Sequence, residues 1–324
     1  MLSKVALNKT ALKVSQLCYG TNMLGTAIDQ SHANDILDRF VELGGNFIDT
    51  ARGYGDWVPT APKGASERAI GAWLKRRSRD GIVIGTKGGM VDLRVGDWRN
   101  RVTPADIASD LNESLEHLQI DTIDLYWLHA DNPGAPVGPV IDALIGHQQA
   151  KRIRYFGASN WSPQRIVEAQ AYAAALGHEG FVAVQPFWGL AKPNPEGAAA
   201  AGYGHYYEDG FQAIHESGLP MVPYSGQSRG YFTKVAAGGE DSLRDDLKAM
   251  YLNDANRTRL KAVQAVAKRH GATVNEVVVA YLVSQPLQTI PIIGASKPEQ
   301  LVESVKAVDL KLSPAELKEL RAGV

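Results

Sequence analysis

The sequence predicts an α/β chain folded as a (β/α)8 TIM barrel with a short N-terminal hairpin, and three observations predict it. Eight short β-rich runs recur along the 324 residues, segments with helical apolar spacing separate them, and the glycine string that opens a doubly wound nucleotide-binding sheet is absent. Strict alternation of strand and helix demands parallel strands with crossover helices. Eight such units favour a closed barrel over an open sheet.

The β-rich runs are 16–19, 46–49, 82–86, 124–128, 153–157, 182–185, 221–224 and 289–294. Between the first two, Ile36, Leu37, Phe40 and Val41 share one helical face. After the third, Ile107, Leu111, Leu115 and Leu118 repeat the pattern. Thr103-Pro104, Ser162-Pro163 and Ser313-Pro314 each set a capping hydroxyl before a proline suited to the first helical position. Residues 1–12 read as the hairpin, with Asn8-Lys9 at its turn, placed to plug the barrel bottom. The loosest stretches, 191–204 and the Gly/Ala segment 236–239, both follow strands, and such excursions in a barrel lie on the face where sites are built. No linker or low-complexity tract divides the chain, so 1–324 is expected to form a single domain.

Composition narrows the partner. The 34 basic and 35 acidic residues intermix to a net charge of −1, which offers neither a groove for nucleic acid nor a basic face for a membrane. Cys18 is the only cysteine, so an internal disulfide is impossible and the cytoplasm is the expected compartment. The first residues never build the apolar run of a signal peptide, and no stretch of about 18 apolar residues marks a membrane span. None of the eight histidines forms H-E-x-x-H, and one cysteine cannot make a thiolate cluster, so no metal is expected. A small neutral or weakly charged molecule remains.

Asp49 and Tyr54 follow the second run, Lys87 the third and His129 the fourth. Parallel strands deliver their C-terminal ends to one rim, so these residues are expected around one pocket. Taken singly, Asp49 reads equally as a turn cap, Tyr54 as a loop aromatic and His129 as a structural histidine. Lys87 is different, because burying a lysine at the end of an apolar strand is costly without an acid partner. As a group they suit proton donation. An ammonium beside a phenol is expected to lower its pKa, an aspartate to keep the lysine charged, and a histidine to orient a carbonyl oxygen.

With these residues in view, the chain resembles the aldo-keto reductase superfamily essentially end to end. The string from Gly45 through Asp49, Thr50 and Ala51, followed by Tyr54-Gly55, is similar to the family's signature, and Gly85-Thr86-Lys87 and Leu128-His129 match the rest of its tetrad. The resemblance implies that NADPH reduces a carbonyl, with Tyr54 as general acid. It assigns Ser159, Asn160 and Gln185 to the nicotinamide carboxamide, and Tyr224 to stacking on the ring. Ser225, Gln227 and Arg229 fall where the family meets the pyrophosphate. Ser296 and Lys297, before a helix opening at Pro298, resemble 2′-phosphate ligands, with Gln300 and Ser304 toward adenine.

Met23, Trp57, Met90, Trp98 and Trp188 fall in loops after strands, and with Asp131 and Asn132 they are expected to line a substrate pocket, core or lid packing being the alternative. The tail ends at Val324, short for a loop that closes over substrate, so an open and tolerant pocket is expected. Two other readings stand beside this one. Relatives such as potassium channel β subunits hold NADPH as regulatory modules. Separately, Gly226 to Gly230 reads G-x-S-x-G, a hydrolase elbow that would make Ser228 a nucleophile with His270 as the later histidine, although His270 ends a basic run suited to capping helix carbonyls. Nothing in the sequence speaks for or against a homo-oligomer.

Overall fold

The computed structural model describes residues 1–323 apart from 9, 205, 208–213 and 215. It opens with strand β1 (Lys4–Ala6) antiparallel to β2 (Lys13–Ser15). The hairpin therefore runs three residues beyond the expected boundary at Leu12, because Val14 turns inward to pack with Leu7 and Leu12. These three join the buried cluster of Cys18, Phe47, Val83, Leu125, Trp127 and Ile290, which covers the lower end of the sheet. Asn8 of the expected turn donates to the Gly218 carbonyl, and Lys9 lies outside the described residues.

The main sheet contains β3 (Cys18–Gly20), β4 (Phe47–Asp49), β5 (Val83–Gly88), β6 (Ile123–Leu128), β7 (Ile153–Ser159), β8 (Val184–Gln185) and β9 (Ile292–Ile293). All are parallel, in the order β8-β7-β6-β5-β4-β3-β9, and the sheet curls. Seven expected runs are found in this ladder. The eighth, 221–224, makes single bridges from Met221 to both Val184 and Thr289. Val222 N donates to Val184 O at 2.8 Å on one side, and Ile290 N to Met221 O at 2.8 Å on the other. Pro186, Pro220, Pro223 and Pro291 explain the broken ladder, since each lacks the N–H that a continuous one requires.

Helices α1 (Gln30–Glu42), α2 (Ala65–Leu74), α3 (Pro104–Leu118), α4 (Val137–Gln149) and α5 (Pro163–Ala175) alternate with the strands. The expected apolar faces are the covered ones: α1 buries Ile36, Leu37 and Phe40, and α3 buries Ile107, Leu111 and Leu118. The expected loop 191–204 instead contains α6 (Pro195–Ala200), tied down where Asn194 Nδ2 donates to the Ala249 carbonyl at 2.9 Å. Then follow α7 (Tyr231–Gly238), which takes up most of 236–239, α8 (Asp245–Tyr251), α9 (Asp254–His270), α10 (Val274–Val283), α11 (Pro298–Lys306) and α12 (Pro314–Ala322). No helix among the described residues is long and apolar enough to cross a membrane.

Thr103, Ser162 and Ser313 cap α3, α5 and α12, accepting from the backbone N–H three residues on. Glu316 completes a capping box with Ser313. Thr103→Ala is expected to lower the unfolding free energy by about 1 kcal/mol in urea denaturation, the usual cost of losing a hydroxyl cap.

Candidate active site

The site is built where β4 and β5 end. Asp49 pairs in register with Gly85, and Lys87 stands two residues further along β5. Beyond β4 the chain stays on its neighbour, with Thr50 N donating to Gly85 O at 2.8 Å and Arg52 N to Lys87 O at 3.0 Å. It then turns through Gly55, whose φ of 98° favours glycine and whose absent Cβ would stand 2.8 Å from the Ala65 Cβ. That turn carries Tyr54 over Lys87.

Lys87 is 1% exposed, and its ammonium has three N–H bonds to give. They go to Asp49 Oδ2 at 2.5 Å, to the Thr50 carbonyl at 2.7 Å and to Tyr54 Oη at 3.1 Å. The other oxygen of Asp49 accepts from Gln185 Nε2 at 2.9 Å. Because Lys87 donates to the phenol oxygen, the hydroxyl proton of Tyr54 is left to point elsewhere. The His129 ring stands edge-on to Tyr54, centroids 5.9 Å apart.

Burial works against the charge on Lys87, yet Asp49 and Tyr54 beside it raise its pKa above the ordinary ammonium value. The ammonium is retained. For Tyr54 the balance runs the other way: burial raises the phenol pKa, and Lys87 offsets this only in part. The expected lowering is thus corrected, because desolvation of a phenolate outweighs one neighbouring cation. Burial, then Lys87 and Arg52, hold His129 well below the usual imidazole value. At neutral pH the site therefore presents a protonated phenol beside a neutral imidazole.

Residues expected to hold a cofactor lie along the sheet edge beyond this pair. Asn160, with φ 59°, donates to the His129 carbonyl at 2.9 Å and accepts from the Tyr224 hydroxyl at 2.8 Å. Ser159 Oγ donates to the Gln185 carbonyl at 2.9 Å, and Gln185 Oε1 is buried without a hydrogen-bond partner. The Tyr224 ring stacks on Phe187 at 5.5 Å. Ser225 Oγ contacts Tyr203 Oη at 3.4 Å. At the start of α11, Ser296 and Lys297 are exposed, and Gln300 Oε1 accepts from Ser296 N at 2.7 Å.

Several other expected contact residues have protein partners of their own. Gln227 is engaged by protein, accepting from Gly294 N and donating to Asn275 and Ser304, so Ser304 is buried beneath it and does not face outward. Arg229 pairs with Asp246 at 2.7 Å. Among the pocket residues, Trp188 is 1% exposed and packs in the core against Tyr281, because β8 is followed by a buried turn. Asp131 is bound by Arg165 through two bonds of 3.0 and 3.2 Å, and the Asn132 carbonyl receives the same guanidinium at 3.4 Å. Met90 is partly exposed and Trp98 stands 74% exposed. Met23 and Trp57 both line a cleft of about 580 Å³ with Asn22, Thr26, Ala27 and Val58.

Sequence reasoning missed the charges around this rim. Arg52 is buried against Asp92, Asp110 and Glu113, and Arg94 binds the loop that carries Trp57. The basic and acidic residues alternating through 92–101 were the available signal. The hydrolase reading finds no support. Ser228 is buried, and His270 neither caps carbonyls nor meets Ser228 but pairs with Glu316 at 2.7 Å.

A buried ammonium, a protonated phenol and a neutral imidazole at the C-terminal edge of a parallel sheet suit oxidoreductase chemistry at an oxygen. The comparisons with known proteins make the class specific: the aldo/keto reductase family model matches residues 16–323, and the chain belongs to that family. It is 29% identical to an uncharacterized oxidoreductase, YrpG, of Bacillus subtilis, over 97% of this chain and 93% of that protein. It is 27% identical to a norsolorinic acid reductase of Aspergillus flavus, over 98% and 79% of the two chains. An aryl-alcohol dehydrogenase of Pestalotiopsis microspora is 25% identical, over 97% and 79%.

Lys87→Met is expected to reduce stability by about 3–5 kcal/mol, because it strands the buried Asp49 carboxylate. In urea denaturation the double variant Lys87→Met/Asp49→Leu should recover part of that loss, as removing both charges is less costly than removing one.

Proposed function

We propose that the protein reduces an aldehyde or ketone to an alcohol with NADPH, with Tyr54 as general acid. The observation that carries this is the allocation of the three Lys87 donors, which makes the phenol an acceptor toward the lysine and leaves its proton for a substrate oxygen. His129, kept neutral, donates a second hydrogen bond to that oxygen and orients it. Asp49 and Gln185 fix the lysine. Together these groups would stabilise the alkoxide as its charge develops.

The residues present fit a nicotinamide. The unpartnered Gln185 Oε1 is a buried acceptor for a carboxamide N–H, and the Tyr224 ring and Asn160 stand beside it. When bound, the nicotinamide supplies or accepts the hydride. Ser296 and Lys297 at the N-terminus of α11 form a site for a 2′-phosphate, which favours NADPH over NADH. The segment 220–224, bonded on both sides, is read as the eighth strand that closes the barrel, and the chain as one domain. The cleft of Met23 and Trp57 suits an apolar or aromatic carbonyl, in keeping with the name of the aryl-alcohol dehydrogenase relative.

Purified protein with NADPH and a panel of aldehydes, ketones and sugars tests the reading through loss of nicotinamide absorbance. Tight NADPH binding without turnover on any substrate would instead identify a binding module. Tyr54→Phe should keep cofactor binding while kcat falls about 10²–10⁴-fold. The pH profile has a definite sign. With Tyr54 raised above an ordinary phenol and His129 lowered below an ordinary imidazole, reduction should stay flat between about pH 6.5 and 10. Alcohol oxidation needs the phenolate and should rise across the same interval.

A further inference from the structure

Trp57 is the aromatic residue lining the cleft of Met23 and Val58, and its ring stands edge-on to Tyr54, 6.1 Å from the phenol at 63°. It is 50% exposed and sits on a loop with little of its own to hold it. Within that loop the bonds are short-range, from Asp56 N to Gly53 O, Val58 N to Gly55 O, Ala61 N to Val58 O and Gly64 N to Asp56 Oδ1. Three of its carbonyls and the Asp56 carboxylate are met by one side chain of the next βα loop. Arg94 donates to the carbonyls of Val58 at 3.1 Å, Pro59 at 3.2 Å and Ala61 at 2.7 Å, and to Asp56 Oδ1 at 3.3 Å. A planar guanidinium presents five N–H bonds in a fixed fork and meets these four acceptors at once, one more than the three donors of an ammonium could.

Arg94 is itself fixed. Asp92 and Asp97 exchange backbone bonds of 2.8 and 3.0 Å around it, and Arg94 N donates to Asp92 Oδ1 at 3.0 Å. Asp92 Oδ2 is held in turn by Arg52 at 2.9 Å and Lys63 at 3.0 Å. The Arg52 guanidinium reaches Asp110 and Glu113 of α3. A continuous chain of charges thus runs from the barrel's helical layer to the carbonyls beside Trp57. Tyr54 does not depend on it in the same way, being set by Lys87 and by the backbone bonds between the β4 and β5 segments.

We propose that Arg94 is a positioning residue for substrate specificity, holding Trp57 as a rigid wall for the ring of an aromatic carbonyl while leaving the proton donor untouched. The inference rests on the reductase reading above. Arg94 touches no reacting atom and acts through Trp57, so its loss should raise the cost of ordering the wall when a bulky substrate binds. A small substrate that never reaches Trp57 is not subject to that cost.

The test compares propanal with naphthaldehyde. Arg94→Ala is expected to raise KM for naphthaldehyde about tenfold with kcat nearly unchanged, the cost of immobilising a loosened side chain and its loop. Propanal kinetics should stay near wild type. In a Trp57→Ala background, Arg94→Ala should add nothing for naphthaldehyde. Equal losses for both aldehydes, or additive losses in the double variant, would overturn the proposal. Arg94→Lys keeps the charge but not the fork and should show the same split in milder form, which serves if the alanine variant does not fold; wild-type KM for naphthaldehyde in Arg94→Lys also overturns it. Calorimetric binding of naphthaldehyde needs no turnover. If wild type binds it yet turns over neither aldehyde nor any other carbonyl of the panel, the reductase reading fails, while an unchanged Kd in the Arg94 variants would count against the positioning role alone.

Discussion

The rest of the site depends on one buried charge. An ammonium buried at the C-terminal edge of an apolar parallel sheet loses its hydration, and it persists only if every donor is answered by protein. Asp49, the Thr50 carbonyl and Tyr54 supply those answers, and Gln185 supports Asp49 from across the sheet. Satisfying Lys87 therefore locks the ends of β4, β5 and β8 and the turn after β4 into one arrangement. The phenol is oriented because the lysine needs an acceptor. Stability and the orientation of the phenol are requirements on the same three bonds.

The same reasoning explains the rim. Arg52 is buried and would be intolerable alone, so it is surrounded by Asp92, Asp110 and Glu113. Its positive charge then acts at a distance, joining Lys87 and burial in keeping His129 neutral. A neutral imidazole adds no positive charge to repel the lysine below. The ion pairs around Arg52 are thus structural in origin, and through Arg52 they also reach the electrostatics of His129.

How much of this was legible in the sequence followed the range of the cause. Helix starts at Thr103, Ser162 and Ser313 were legible because a cap is decided within four residues. The grouping of Asp49, Tyr54, Lys87 and His129 was legible because parallel strands bring successive C-terminal ends together. What was hidden depended on partners far along the chain. Asp131 reads as a free carboxylate until Arg165 is brought to it, and Gln227 as a ligand until Gly294, Asn275 and Ser304 converge on it. The raised pKa of Tyr54 was hidden for the same reason, since residue order shows the neighbouring cation but not the depth of burial.

The segment after 221–224 shows how a motif misleads when geometry is missing. Ser225, Ser228 and Arg229 all have φ near 50°, between 49° and 56°, a left-handed conformation that costs an ordinary residue about 1–3 kcal/mol. Such a turn persists only where its surroundings hold it. Gln227 does so with bonds to Asn275, Ser304 and Gly294; a Cβ at Gly226 would stand 2.7 Å from Leu282 Cδ1 of α10 and displace it, and the φ of 77° at Gly230 favours glycine there. The spacing of glycine and serine thus records the steric demands of a tight, clamped turn. The string that resembles a nucleophile elbow is explained without a nucleophile, because the turn buries the Ser228 hydroxyl that such chemistry would have to expose.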